Sequence, residues 1–222
     1  MTQNTTQPAA HTIAQTAYQA LFDHLNVRLF GGGLSHVILN FSRHAKAYGF
    51  FAPSRWHRTA SEIKIHEISL NPIHLSARTL EASAATLAHE MAHAWDHDHG
   101  KPGRGGYHGK SWARKMKEIG LHPSDTAAPG GKETGQKVSH YIVAGGAFAL
   151  AFAEIPEICR LPFVCSEPTS EAKRKAKNKI KYTCGECEAN AWGKPGLRIT
   201  CEECGVPFDP PAEDKDGENK EV

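Results

Sequence analysis

At 222 residues, with 40% apolar and 23% charged side chains and a formal net charge of +2, the chain has the composition of a folded globular protein and not of a disordered one. Its charge is nearly balanced, so nucleic-acid binding has to rest on local clusters of cations and not on a bulk field. The longest charge-free apolar run, Tyr141 to Ala153, is too short to span a bilayer and is broken by Gly145-Gly146, so no membrane role is expected.

Residues 1–11 are a polar tail with no apolar stretch of the secretory kind, and the expected location is cytoplasmic, with nucleoid association, and not secreted. From Thr12 a helical pattern begins, with Ile13, Ala17, Leu21 and Leu25 at i, i+4 spacing, and it stops at Gly31-Gly32-Gly33. Strand-like runs follow at Val37–Phe41, Tyr48–Phe51 and Glu62–His66, the last alternating and extendable to Leu70. Asn71-Pro72 marks a turn. Thr79 to Asp98 reads as one long helix with an apolar stripe of Leu80, Ala84, Leu87, Ala88, Met91 and Trp95, ended by Gly100-Lys101-Pro102-Gly103. A further helix is predicted from Ser111, as N-cap, to Ile119, with Gly120 at C′. His122 to Gln136 has the composition of a long surface loop, and an apolar piece then ends near Phe163.

The long helix carries His89-Glu90-Met91-Ala92-His93, an HExxH pentad. Positions i and i+4 share a helix face, so His89 and His93 can hold one Zn²⁺ while Glu90 acts as general base on an activated water. A catalytic zinc takes three protein ligands and leaves one position open. Three downstream histidines compete for the third place. His97 would extend the same straight helix and reach the metal poorly. His99 stands at the HExxHxxGxxH position, but Asp96 occupies the place of the helix-turning glycine. His108 follows a Gly-rich turn, Arg104-Gly105-Gly106-Tyr107, and approaches from a second element. Tyr107, His97 and His99 are candidates for oxyanion stabilisation, and Asp96 and Asp98 for partners of an imidazole N–H.

Six cysteines are present, and four of them form two CxxC pairs, Cys184/Cys187 and Cys201/Cys204, with 13 residues between. That spacing points to a structural zinc held by four thiolates. Cys159 and Cys165 are left over and fit as small buried apolar residues. Lys173, Arg174, Lys175, Lys177, Lys179 and Lys181 precede the pairs, and Tyr182 and Trp192 lie among them. Cations beside aromatic residues are the composition of a binder of single strands or of a nucleic-acid backbone, but charge alone favours a solvated, flexible linker.

The stretch from Leu70-Asn71-Pro72 through the pentad to Gly106-Tyr107-His108-Gly109 and Trp112 resembles the SprT-like metalloprotease family, which includes the Spartan proteases of DNA–protein crosslinks. The resemblance implies His89, His93 and His108 as the catalytic zinc ligands and Glu90 as the acid/base. It implies an α+β, zincin-like protease domain with a small antiparallel sheet and the HExxH helix, plus a C-terminal zinc ribbon. The expected layout is a tail (1–11), a protease domain (12–165), a basic linker (166–181), the ribbon (182–208) and a disordered acidic tail (209–222). Implied with it are two Zn²⁺ per chain, a protein substrate laid along a strand edge, DNA as a partner with single strands favoured, and a monomer. Two alternatives stand beside this: a zinc peptidase whose ribbon binds protein and not DNA, and a non-catalytic zinc or DNA-binding module.

Overall fold

The computed structural model describes residues 8–34, 36–43, 47–59, 61–75, 77–162 and 179–210. The chain divides into two units, residues 1–169 and 170–222. Cys165, Lys173, Arg174, Lys175 and Lys177 lie outside the described residues.

The first unit is built on two helices. α1 (Ala10–Phe30) buries Ala17, Tyr18, Leu21, Phe22, Leu25 and Leu29 on one face, the stripe expected from the i, i+4 pattern. Gly31 ends it in the left-handed conformation, φ +61°, with its N–H donated to Asn26 O. Asn26 locks the reversal, its amide bonding Leu34 O and accepting from Leu34 N. A single turn, α2 (Pro72–Leu75), precedes the second long helix. That helix, α3 (Leu80–His99), starts at Thr79, whose hydroxyl accepts from Ala82 N at 3.1 Å. It is buried from Ser83 through Ala92, so the pentad is buried up to the half-buried His93.

β1 (Val37–Phe41), β2 (Gly49–His57) and β3 (Lys64–Leu70) form a sheet in the order β1-β3-β2. β2 and β3 are antiparallel, but β1 runs parallel to β3. The expected antiparallel sheet is therefore corrected to a mixed one. β3 folds back between its two predecessors, and a strand entering the middle pairs with one neighbour in each sense. β2 is longer than the run Tyr48–Phe51 suggests. Pro53 and a register shift between Ala52 and Trp56 hide it from a periodicity reading, and both are tolerated because β2 is an edge strand.

α4 (Lys110–Glu118) buries Trp112, Ala113 and Met116 against α3. Its N-cap is Gly109 and not Ser111 as expected; Ser111 sits in the first turn, where its hydroxyl donates to the buried Asp96 and accepts from Lys101 N. The expected loop from His122 opens with strand: β4 (Leu121–Ser124) pairs with β5 (Ser139–Ile142). α5 (Ala147–Ala153) packs Phe148 and Ala151 into the core, and Cys159 is buried in the same cluster. Among the described residues no helix is long and apolar enough to cross a membrane.

The second unit is a three-stranded antiparallel sheet: β6 (Ile180–Cys184) between β7 (Asn190–Gly193) and β8 (Phe208–Asp209). Lys181 thus belongs to a strand and not to the linker, and Asp209 to β8 and not to the tail.

Gly120 joins α4 to β4 at φ +80°, and a Cβ there would stand 2.8 Å from Ala147 N. Gly120→Ala is expected to cost about 2–4 kcal/mol through strain and overpacking, read as a fall in thermal midpoint on the order of 5–10 °C.

Candidate metal centres and the cleft beside them

His89 and His93 project from one face of α3, and His108 enters from the turn before α4. One donor atom from each lies within 4.8 Å of the others. His89 Nε2 and His108 Nε2 are 3.2 Å apart. Two nitrogens bound at about 2.0–2.1 Å to one tetrahedral zinc would be separated by about 3.3 Å. His108 Nδ1 donates to Gly135 O at 3.1 Å, which leaves Nε2 with its lone pair. The backbone of His108 pairs with that of Gly135 in both directions, so the loop from residue 125 to 138 fixes the ligand's position.

Beneath the imidazoles lies Trp112, fully buried, stacked on His93 at 5.2 Å and 22° and edge-on to His89 and His108. Phe51 of β2 lies parallel to the His93 ring, with centroids 6.4 Å apart. This apolar packing explains the electrostatics. Burial, then the neighbouring rings, lowers His89 well below the ordinary imidazole value; His93 falls to about 3, and His108 is also lowered. All three are neutral at physiological pH, which is the ligand form. Glu90 is buried too, and desolvation raises it to about 8 against a backbone hydrogen bond from Phe51 that lowers it.

The sequence reading missed His140, on β5. Its Nδ1 lies 3.1 Å from His89 Nδ1. With His89 Nε2 turned to the cluster, His89 Nδ1 carries the proton and donates it to His140, whose own value falls to about 4 through burial and then Arg78. That bond sets the tautomer and ring orientation of His89. The signal in sequence was weak: Ser139-His140-Tyr141-Ile142 alternates over only four residues after a polar loop.

His99 does not join the cluster; it is exposed and lies beside Trp95. His97 joins a different group, with His66 and Asp98. Ser54 N–H donates to His66 Nδ1 at 2.9 Å, so His66 Nε2 carries the proton and donates to Asp98 Oδ1 at 3.0 Å. Asp98 therefore partners the imidazoles of His66 and His97, and Asp96 partners Ser111.

A cleft of about 630 Å³ opens over the cluster, lined by His89, Glu90, His93, His97, Tyr107 and His108 and flanked by Phe50, Phe51 and Pro53 of β2. Of the three oxyanion candidates it brings Tyr107 and His97 to the opening and leaves His99 outside.

In the second unit Cys184, Cys187, Cys201 and Cys204 also converge, with sulfurs within 4.8 Å. Cys187 Sγ and Cys201 Sγ stand 3.7 Å apart, close to the separation of about 3.8 Å that two thiolates have on one tetrahedral zinc. The two CxxC turns repeat one geometry. In each, the N–H four residues after the first cysteine returns to that cysteine's carbonyl, from Glu188 and from Gly205, both at positive φ. N–H groups of Cys187 and Glu186 hold Cys184 down to about 7, while Cys187 and the other thiols push Cys204 up to about 12. Four thiols this close cannot all ionise without a cation among them.

Of the basic and aromatic residues, Lys181 and Trp192 are directly opposite one another on β6 and β7 and both exposed, and Lys179 is exposed nearby. Tyr182 is the exception. It is 1% exposed, its hydroxyl donating to Lys194 O and accepting from Leu197 N, so its ring is not available to stack on a base.

Two candidate metal centres, one of imidazoles beside a carboxyl group and one of thiols, thus define the class: a metalloprotease-like domain with a four-cysteine cluster late in the chain. The model of the SprT-like family matches residues 18–133, more than half of the chain, and the protein belongs to that family. A comparison with curated proteins found no match.

Replacing His108 with Ala is expected to abolish metal binding at the histidine cluster, read by metal analysis, whereas His99→Ala leaves the metal content unchanged. Because burial lowers the imidazoles, proton competition begins in stronger acid than usual. Cobalt(II) bands of the histidine site should stay unchanged as pH falls through about 6.5, the ordinary imidazole value, and fade only well below it.

Proposed function

We propose that the chain is a zinc-dependent endopeptidase that hydrolyses proteins bound or crosslinked to DNA. The observation that carries the first half is the convergence of His89, His93 and His108, with 3.2 Å between two facing Nε2 atoms, beside a buried Glu90 at the floor of an open cleft. These residues fit Zn²⁺: neutral nitrogen donors, tetrahedral spacing and a hydrogen-bonded outer partner in His140. A Zn²⁺ held there supplies Lewis acidity toward a water and a peptide carbonyl.

The chain's own residues do the rest. Glu90 takes the proton from the attacking water and delivers it to the leaving nitrogen. Its carboxyl is raised by desolvation, and a cation beside it would draw that value back toward the neutral range where a general base works. β2 is an edge strand whose Phe50, Phe51 and Pro53 line the cleft, and an extended substrate adds along it by main-chain hydrogen bonds. Tyr107 and His97 line the cleft and are the candidates to donate to a developing oxyanion.

The second half rests on the four-cysteine unit. A second Zn²⁺ held by its thiolates would be structural, because a sheet this small buries too little apolar surface to fold alone. Lys179, Lys181 and Trp192 then form an exposed surface on which a base can stack while the cations meet phosphate. Recruitment through that surface brings the protease to proteins on DNA, with single strands favoured, in the cytoplasm or nucleoid and as a monomer.

Glu90→Gln is expected to retain zinc and abolish hydrolysis of a DNA-binding protein, a loss of about 10²-fold or more. Single-stranded DNA should accelerate the wild type, and Lys181→Glu with Trp192→Ala should remove that acceleration. Activity in Glu90→Gln would refute the assignment of the base. Equal rates with and without DNA would favour a peptidase whose second unit binds protein.

A further inference from the structure

Past Glu90 the cleft continues into a side pocket of about 470 Å³ walled by Tyr48, Arg78, Thr86, Lys137, Ser139 and His140. His89, Glu90, Gly49 and Val138 line both spaces, so a chain lying over Glu90 has this pocket beside it.

Arg78 is the charge built into the pocket wall. Its Nη1 donates to Thr86 Oγ1 at 2.7 Å, and its guanidinium lies 4.3 Å from the centre of the Tyr48 ring. Thr86 is four residues before Glu90 on α3, so the guanidinium and the carboxyl are anchored to the same helix face. No ion pair among the described residues includes Arg78. Burial draws it below the ordinary arginine value, and its charge in turn depresses His140. Lys137 adds a second, exposed cation to the rim. The acids that face this space are Glu90 and Asp125. Glu90 is committed to the chemistry in the reading above, and Asp125 Oδ1 accepts from Lys132 N at 2.9 Å on the exposed rim.

A half-buried guanidinium pays part of its desolvation without a counter-charge, and its planar fork matches a carboxylate. We propose that this pocket is a carboxylate subsite, which takes the Asp or Glu side chain of a substrate residue next to the bond that is cut. Arg78 is the specificity-determining residue and Lys137 supports it. The proposal rests on the peptidase reading, and its test separates the two.

A set of quenched fluorescent peptides, identical except for Glu or Gln at successive positions, is offered to the full-length zinc-loaded protein. At one position Glu should exceed Gln by about tenfold in kcat/KM, the scale of a charge-assisted contact. Arg78→Gln should bring the two together, and Arg78→Lys, which keeps the charge but not the fork, should retain part of the preference. Zinc content equal to the wild type certifies that the variants are folded. Equal rates in the wild type, or a preference that survives Arg78→Gln, overturns the proposal. The same peptides are titrated by anisotropy onto Glu90→Gln protein. If none is cut but the Glu peptide binds better and Arg78→Gln abolishes the difference, the subsite stands and the peptidase reading falls. With neither cleavage nor preferential binding, the subsite falls. Should Arg78→Gln weaken only a single-stranded oligonucleotide, the occupant is a phosphate and the carboxylate assignment is wrong.

Discussion

Two imidazole nitrogens facing each other at 3.2 Å inside a protein are an unfavourable arrangement unless something positive lies between them. A proton can do this for two rings; for three converging rings a metal does it better. The rest of the first unit is arranged around that demand. Trp112 and Phe51 exclude water from the rings, burial keeps them neutral, and two outer partners, Gly135 O and His140, hold the tautomers of His108 and His89. Every one of these contacts comes from a different element: α4, β2, the loop before β5, and β5 itself. The site is therefore a product of the whole unit's packing and not of the pentad alone, and it explains why α3 is buried along the segment that carries polar residues.

The two candidate metal centres relate to folding in opposite ways. The histidine cluster rests on an apolar core that includes Tyr18, Leu21, Leu25, Leu87, Met91, Trp112, Met116 and Phe148, all fully buried, so its geometry is set before a cation arrives. The cysteine cluster has no such support. Its unit is three short strands and two turns, with Tyr182 as the one large side chain at its centre among the described residues. The strained Glu188, at positive φ where the sister turn has Gly205, is held by the return bond to Cys184 O. In the proposed function one zinc works and the other folds.

Much of this was legible in the sequence. α1, α3 and α4 announce themselves by apolar spacing and glycine stops, because a helix's signal is local. The pentad and the paired CxxC turns are local too, and their convergence follows from helix and turn geometry. What was hidden depends on contacts distant in sequence. The parallel pairing of β1 with β3 is a fact of topology that no residue of either strand records. The length of β2 was masked by Pro53, which only an edge position permits. His140 looked like one more histidine among 14 until β5 carried it to His89, 51 positions away. Tyr182 misled for the converse reason: an aromatic flanked by cations reads as a binding face, but alternation along β6 turns Lys181 outward and Tyr182 in.

That same alternation sharpens what the exposed face can do. With Tyr182 turned inward, Lys181 and Trp192 are left as a cross-strand pair on one face of a two-strand ribbon, close enough for the cation and the indole to meet one ligand together. If this face takes nucleic acid, as proposed, a lysine beside an indole favours a flexible single strand, whose bases can stack, over a duplex. The pocket beside Glu90 has the reverse character: one fixed guanidinium in a confined space, suited to a single side chain. In the proposed function, breadth of substrate would then come from the second unit and choice of bond from the first: if the targets share a nucleic acid and not a protein sequence, recruitment and bond choice fall to separate surfaces.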